Sequence, residues 1–137
     1  MKKIYTFGHE QVERNITVGD IISNKNNNIK MTQVTSANQE EASIVAEQNI
    51  DMIITGSDWY EDVRKGAPNT FITAALFAGR FITNEEILRG AFDVMMKGAD
   101  SVLTPRSLDV VEMLAKEGMQ VQGHVGMVPS MATKYGG

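Results

Sequence analysis

The chain has 137 residues, enough for one domain but only about half of the roughly 250 residues that a complete (β/α)8 barrel needs. Its net charge of −4 argues against a nucleic-acid partner bound through a basic face, and the absence of cysteine excludes disulfides, thiolate catalysis and cysteine-based zinc sites. No apolar run approaches the about 18 residues of a membrane span, and no signal-peptide pattern follows the first lysines. We therefore expect a soluble, cytoplasmic protein with no membrane partner.

The first part of the chain differs in character from the rest. Residues 1–28 are predicted to form a leader with one short helix around Ile21, which Thr17 or Asp20 would cap. A run rich in asparagine ends this leader and predicts a loop. The second region, residues 29–137, is predicted to be the main domain.

In this second region, short apolar segments alternate with amphipathic ones. The segments predicted as strands are residues 29–34, 50–54, 71–76, 101–104 and 119–123. The segments predicted as helices are about residues 38–48, 59–65, 83–97 and 107–117. Two capping boxes, Ser36 with Gln39 and Thr83 with Glu86, mark helix starts. Strands that are apolar without clean alternation are typical of a parallel sheet covered on both faces, so the pattern predicts a parallel α/β fold.

Two closures fit five β/α repeats: a flavodoxin-like open sheet, or the N-terminal part of a TIM (β/α)8 barrel. The length of the chain favours the open sheet, but residues 127–137 show no helix pattern that would cover the last strand. We therefore predict a partial barrel of about five strands, cut from something longer. Such a domain would leave a strand edge and apolar faces exposed, which favours self-association into a homo-oligomer.

In either closure, ligands bind at the carboxyl ends of the parallel strands, where helix N-termini point N–H groups at them. The candidate residues at those ends are Thr35, Ser57, Asp58, Arg106 and His124. His124, which lies between glycines that allow close backbone approach, is the candidate catalytic residue. The other four are candidate substrate-binding residues, since Arg106 can hold a carboxylate bidentately and Asp58 can orient a ligand or bind a metal. A helix cap for Ser57 and Asp58, a surface role for Arg106 and a structural role for His124 remain alternatives.

Other motifs of chemistry are missing from the sequence. It contains no Walker loop, no Gly-x-Gly-x-x-Gly, no Gly-x-Ser-x-Gly and no pair of histidines or carboxylates at metal-ligand spacing. Trp59 and Tyr60 are predicted to pack rather than to stack on a ligand. The motifs by themselves therefore indicate only a small anionic ligand.

Four motifs occur in order at a spacing that resembles one family. They are RKGAPN at 64–69, TNEE at 83–86, KGAD at 97–100 and GHVGMVP at 123–129. This set resembles ketopantoate hydroxymethyltransferase (3-methyl-2-oxobutanoate hydroxymethyltransferase), of the phosphoenolpyruvate/pyruvate barrel superfamily, from about residue 17 to the end of the chain. The resemblance implies the N-terminal half of a (β/α)8 barrel. It also implies hydroxymethyl transfer from methylenetetrahydrofolate to the α-keto acid α-ketoisovalerate, in pantothenate biosynthesis.

The resemblance carries the site residues over only in part. The family holds Mg²⁺ near two aspartates and a glutamate, of which this chain keeps only Asp58, displaced by one residue. The second aspartate falls on Ala75 and the glutamate on Pro105, so Asp58 is the one candidate metal ligand. The lysine that contacts the keto acid falls on Leu103, whereas the family histidine is kept as His124.

The family's catalytic base, a glutamate, falls beyond the end of this chain, so the chain alone is expected to be inactive. Three hypotheses follow from these departures. The first is a divergent hydroxymethyltransferase-like enzyme that uses Mg²⁺ and methylenetetrahydrofolate. The second is another lyase or mutase acting on a small α-keto acid, with Arg106 as the carboxylate anchor. The third is a non-catalytic barrel homologue that has lost the metal site.

Overall fold

The protein begins with a β-hairpin followed by a short helix in the computed structural model, which describes residues 1–136. The hairpin pairs β1 (Lys2–Tyr5) with β2 (Gln11–Arg14) in antiparallel register, and α1 spans Val18–Asn26. Thr17 caps α1 in a capping box with Asp20, which confirms the predicted cap. The hairpin was not predicted, because its strands are only four residues long and mostly exposed, so they carry little hydrophobic pattern.

Strands and helices then alternate along the chain. In order they are β3 Gln33–Thr35, α2 Gln39–Glu47, β4 Met52–Gly56, α3 Tyr60–Gly66, β5 Phe71–Ala75, α4 Asn84–Met96, β6 Ser101–Thr104, α5 Leu108–Lys116 and β7 Val121–Gly123. The five strands form one parallel sheet in the order β3-β4-β5-β6-β7. Each strand thus lies beside its neighbour in the chain, as in a barrel, whereas a flavodoxin-like sheet would change direction at a switch point. The structure confirms the predicted α/β fold as a partial TIM-barrel-like unit.

Some local predictions were wrong. Asn38, and not Ser36, caps α2, since its side-chain oxygen accepts a hydrogen bond from the N–H of Glu41 at 2.9 Å. Ser36 instead continues the sheet, because its N–H donates to the carbonyl of Ile54 at 3.2 Å. A 3₁₀ helix, Pro129–Tyr135, lies where no helix was predicted. The last residue of the predicted domain, Gly137, lies outside the described residues.

The main core lies between the sheet and its helices. Its largest fully buried residues are Ile53, Ile72 and Val102 on the strands and Leu76 directly after β5, and the helices contribute Tyr60, Val63, Ile87, Val94, Met95 and Leu114. Because side chains alternate along a strand, the residues between these strand positions face the opposite side of the sheet. No helix in the described part of the chain is long and apolar enough to cross a membrane.

The opposite side of the sheet is concave. Gln33 on β3 and Gln122 on β7 are on the two edge strands, yet their side-chain amides lie 3.4 Å apart. The sheet therefore curls far enough for its first and last strands to face each other. A cavity of ≈ 350 Å³ lies on this concave face, and Val18 and Ile21 of α1 line it near the amino ends of the strands.

An ion cluster at the amino-terminal end of the sheet joins four segments. The Asp100 carboxylate accepts hydrogen bonds from Arg14 Nε at 2.7 Å, from Arg64 Nη2 at 2.7 Å and from the backbone N–H of Ile72 at 2.9 Å. The side chains of Asp100 and Arg14 are only 5% and 3% exposed. This contact ties the end of β2 and helix α3 to the starts of β5 and β6.

Backbone carbonyls satisfy the other N–H groups of the two arginines. The acceptors are the carbonyls of Glu13, Ala67, Pro68, Thr70 and Gly98. Arg64 also donates to the hydroxyl of Tyr60 at 3.0 Å, and burial raises the pKa of that hydroxyl. The RKGAPN and KGAD motifs contribute half of these residues, including Arg64 and Asp100, so both motifs stabilise the fold at the end of the sheet opposite the candidate site.

We predict that Asp100→Asn lowers the free energy of unfolding by about 3–5 kcal/mol, because it leaves two mostly buried guanidinium groups without their carboxylate. Urea unfolding followed by far-UV circular dichroism measures the change. The matched control is Asp93→Asn, whose exposed ion pair with Lys97 at 3.2 Å should contribute less than about 1 kcal/mol. Equal effects of the two substitutions would contradict the structural role of the cluster.

Candidate functional site

The carboxyl ends of the strands form a regular rim, because the sheet ladder continues one residue past several strands. The continuing hydrogen bonds run from Ser36 N–H to Ile54, from Ser57 N–H to Ala75, from Leu76 N–H to Leu103 and from His124 N–H to Thr104, at 2.8–3.2 Å. The five predicted site residues all lie along this rim. They are spread over the ends of β3, β4, β6 and β7, so the structure does not bring all five together at one point.

Asp58 forms an ion pair with Arg80, and both side chains are more than half exposed. The pair lies in a groove that Ser57, Glu61 and Asp93 also line, between α3 and α4. It links the loop after β4 to the loop after β5. Because a guanidinium already neutralises its charge, the Asp58 carboxylate acts in this structure as a loop contact.

The residues at this rim do not fit a magnesium site. Mg²⁺ requires oxygen ligands in octahedral geometry, usually including one or two carboxylates. Asp58 is paired with Arg80, and the two other positions that the resemblance points to are the methyl group of Ala75 and the ring of Pro105. Within residues 1–136, no group of three or more histidine, aspartate or glutamate side chains could hold a metal ion. We therefore assign no chemistry here to a bound metal.

Arg106 has donor capacity left at the rim. Its backbone N–H donates to Thr104 Oγ1 at 3.2 Å, and its Nη2 donates to Asn84 Oδ1 at 3.1 Å. Its Nη1 is buried, and within residues 1–136 it has no hydrogen-bond partner. Backbone and side-chain hydrogen bonds of Thr83 lower the pKa of Glu86 nearby, with a smaller contribution from the charge of Arg106. Arg106 therefore precedes α5 in the chain, and its side chain reaches the start of α4 with an N–H group that an anion could satisfy.

Thr35 and His124 are exposed, and they lie at opposite edges of the sheet. Thr35 is in register with Ile54 and Thr73, so it belongs to the concave face. Its neighbour Ser36 faces the helices, where its hydroxyl is buried and unpartnered among the described residues. The structure thus places Thr35, and not Ser36, beside the concave face.

One row of residues closes the concave face at its carboxyl end. Gly56, Ala75, Leu103 and Gln122 are consecutive register partners across β4, β5, β6 and β7. Three of them are small or apolar and the fourth is a neutral amide. The layer in which the resemblance would place charged catalytic residues therefore carries no charge at these four positions.

Two aromatic rings lie beside Gly56 of this row, and their pairing was not predicted from the sequence. A Cβ on Gly56 would lie 3.0 Å from Phe77 Cε2 and 3.2 Å from Trp59 Cε3, so both rings approach the same point. Tyr60 packs in the core as predicted, but Trp59 remains 47% exposed and Phe77 51% exposed. The sequence signal that could have indicated this pair is an aromatic residue two or three positions after each of two neighbouring strands.

The fold and the rim define a class: a curved β/α-repeat protein with a candidate ligand site at the carboxyl ends of its strands. No family model matches the chain. It is 42% identical over 81 residues to a Deinococcus radiodurans protein named 3-methyl-2-oxobutanoate hydroxymethyltransferase. This alignment covers 55% of this chain and 28% of that protein.

Two longer alignments carry the same name. A Kosmotoga olearia protein is 28% identical over 147 positions, and that alignment covers 89% of this chain and 55% of the relative. An Ignicoccus hospitalis protein is 25% identical over 149 positions, and that alignment covers 90% of this chain and 57% of the relative. In these alignments the chain spans about half the length of the curated relatives it matches. It thus resembles 3-methyl-2-oxobutanoate hydroxymethyltransferases as a divergent, partial relative.

Proposed function

We propose that this protein is a hydroxymethyltransferase-like protein that binds a small 2-keto acid, such as α-ketoisovalerate, at the carboxyl ends of its strands. The reaction proposed for the whole protein is one-carbon transfer from methylenetetrahydrofolate to that acid, in pantothenate biosynthesis. The names of the relatives support this type of reaction at distant identity. The substrate and the donor are part of the proposal.

The buried, unpartnered Nη1 of Arg106 is the observation that carries the substrate site. A buried donor without an acceptor is costly, and a carboxylate is the acceptor that a guanidinium binds most strongly. Arg106 precedes α5 in the chain and its side chain reaches Asn84 at the start of α4, so the anchor lies between two helix N-termini. Arg106 would hold the carboxylate of the keto acid, and His124 remains the candidate group for proton transfer.

A second candidate function is binding without turnover. Its support is the uncharged row of Gly56, Ala75, Leu103 and Gln122, which offers no group to acidify the C3 proton of a keto acid. Exchange of that proton above the buffer rate, followed by NMR in deuterated buffer, would contradict binding without turnover. A bound keto acid that keeps its C3 proton would favour it.

We predict that Arg106→Ala weakens the binding of α-ketoisovalerate about tenfold or more, because a charge-assisted hydrogen bond is lost. Isothermal titration calorimetry measures the dissociation constant. The matched control is Arg89→Ala, which removes an exposed arginine of α4 that forms an ion pair with Glu85. Unchanged affinity in Arg106→Ala would remove the argument for a carboxylate anchor.

We also propose that the chain self-associates through its sheet edges. The strands β3 and β7 end the sheet, and in the described part of the chain neither has a second strand beside it. Unpaired edge N–H and C=O groups favour pairing with another chain. Light scattering coupled to size exclusion should therefore give a mass above 15.1 kDa at micromolar concentration, whereas a monodisperse monomer would contradict this proposal.

A further inference from the structure

We propose that Trp59 and Phe77 form a stacking platform for a planar nitrogen heterocycle at the carboxyl mouth of the concave face. The inference deepens the proposed function, on which it rests, because a one-carbon donor of the folate type carries such a ring as its pterin. A guanine base offers the same flat face and the same amino-oxo pyrimidine edge. The shared chemistry is therefore a neutral, planar ring with hydrogen-bonding edges.

The two rings lie at the carboxyl end of the concave face. Gly56 lies in the same row as Ala75 and Leu103 on the concave face, and both rings come within 3.2 Å of the point where its Cβ would be. A Cβ at this position would require both rings to shift by a few tenths of an ångström. The platform thus lies at the end of the sheet where ligands bind in β/α folds.

Hydrogen bonds hold the backbone turns that carry the two rings. The backbone N–H of Trp59 donates to the carbonyl of Gly56 at 3.0 Å, and the Phe77 carbonyl accepts from the backbone N–H groups of Arg80 and Phe81 at 3.0 and 3.2 Å. The Asp58–Arg80 ion pair joins the two loops that carry the rings. Two large aromatic side chains are therefore kept about half exposed on short turns, which lowers the entropy lost when a ligand stacks on them.

The chemistry around the rings selects the kind of ligand. The row that begins at Gly56 continues through Ala75 and Leu103 without a charge, and it ends at Gln122, whose neutral amide contacts that of Gln33. Asp58 and Arg80 neutralise each other. This surface suits a flat, uncharged ring that gains from stacking and from edge hydrogen bonds.

Trp59 is the only tryptophan of the chain, so its fluorescence reports directly on the platform. We expect 5-formyltetrahydrofolate to quench this fluorescence with saturation, after correction with free N-acetyltryptophanamide. By calorimetry, Phe77→Ala should weaken the binding about fivefold or more, as expected for loss of one stacking face. The matched control Tyr5→Ala, an aromatic residue on the hairpin that is 72% exposed, should leave the affinity unchanged.

Further ligands separate the alternatives. Saturable quenching by GMP, equal to or tighter than that by the folate, supports the platform and assigns it to a nucleotide. No quenching by either compound overturns the inference, as does equal quenching by 4-aminobenzoylglutamate, which lacks the pterin. Trp59 fluorescence that changes with protein concentration and not with ligand would show a second copy covering the rings, which also overturns it.

A separate titration with α-ketoisovalerate on the same preparation tests the proposed function independently. Keto acid binding without any effect of the heterocycles contradicts the platform alone. Heterocycle binding without keto acid binding supports the platform and contradicts the proposed substrate site.

Discussion

The fold depends on the pairing of one carboxylate, Asp100, with two guanidinium groups at the amino-terminal end of the sheet. Burying two cations with one anion would be unfavourable if their remaining N–H groups had no acceptors. Here the carbonyls of the surrounding loops accept them, so Arg14 and Arg64 also fix the path of the backbone between α3 and β5. Within this cluster, Arg14 is the residue that anchors the hairpin to the sheet. One acidic side chain thus holds together segments up to 86 residues apart in sequence.

This arrangement explains where the similarity to the hydroxymethyltransferases lies and where it does not. In β/α barrels the amino-terminal end serves stability and the carboxyl end serves function. The RKGAPN and KGAD motifs build the ion cluster at the amino-terminal end. At the carboxyl end, Ala75, Leu103 and Pro105 stand where the resemblance would place charged groups, and two half-exposed rings lie beside Gly56. The TNEE and GHVGMVP motifs lie at the same carboxyl end, so the resemblance covers both ends of the sheet and fails at particular positions of the site.

Local signals made much of the fold predictable. The bounds of β6 were predicted to the residue, and the capping box of Thr83 with Glu86 marks the start of α4 as predicted, since both depend on neighbours in sequence. The hairpin carried too little hydrophobic pattern to be predicted. The Asp58–Arg80 pair and the two rings above Gly56 depend on which loops the register brings together. Spacing within the sequence does not contain that information, so the candidate residues were identified but not their partners.

The central claim is that a keto acid binds at the carboxyl end of this sheet without a metal ion, because the row from Gly56 to Gln122 carries no charge and Asp58 is paired with Arg80. Calorimetric titration of α-ketoisovalerate with and without Mg²⁺ tests this claim most directly. Because no set of carboxylates surrounds the rim in residues 1–136, we predict the same dissociation constant within about twofold in both conditions. A tightening of about tenfold or more by Mg²⁺ would show that Asp58 and its neighbours assemble a metal site on binding the acid, and would contradict the claim.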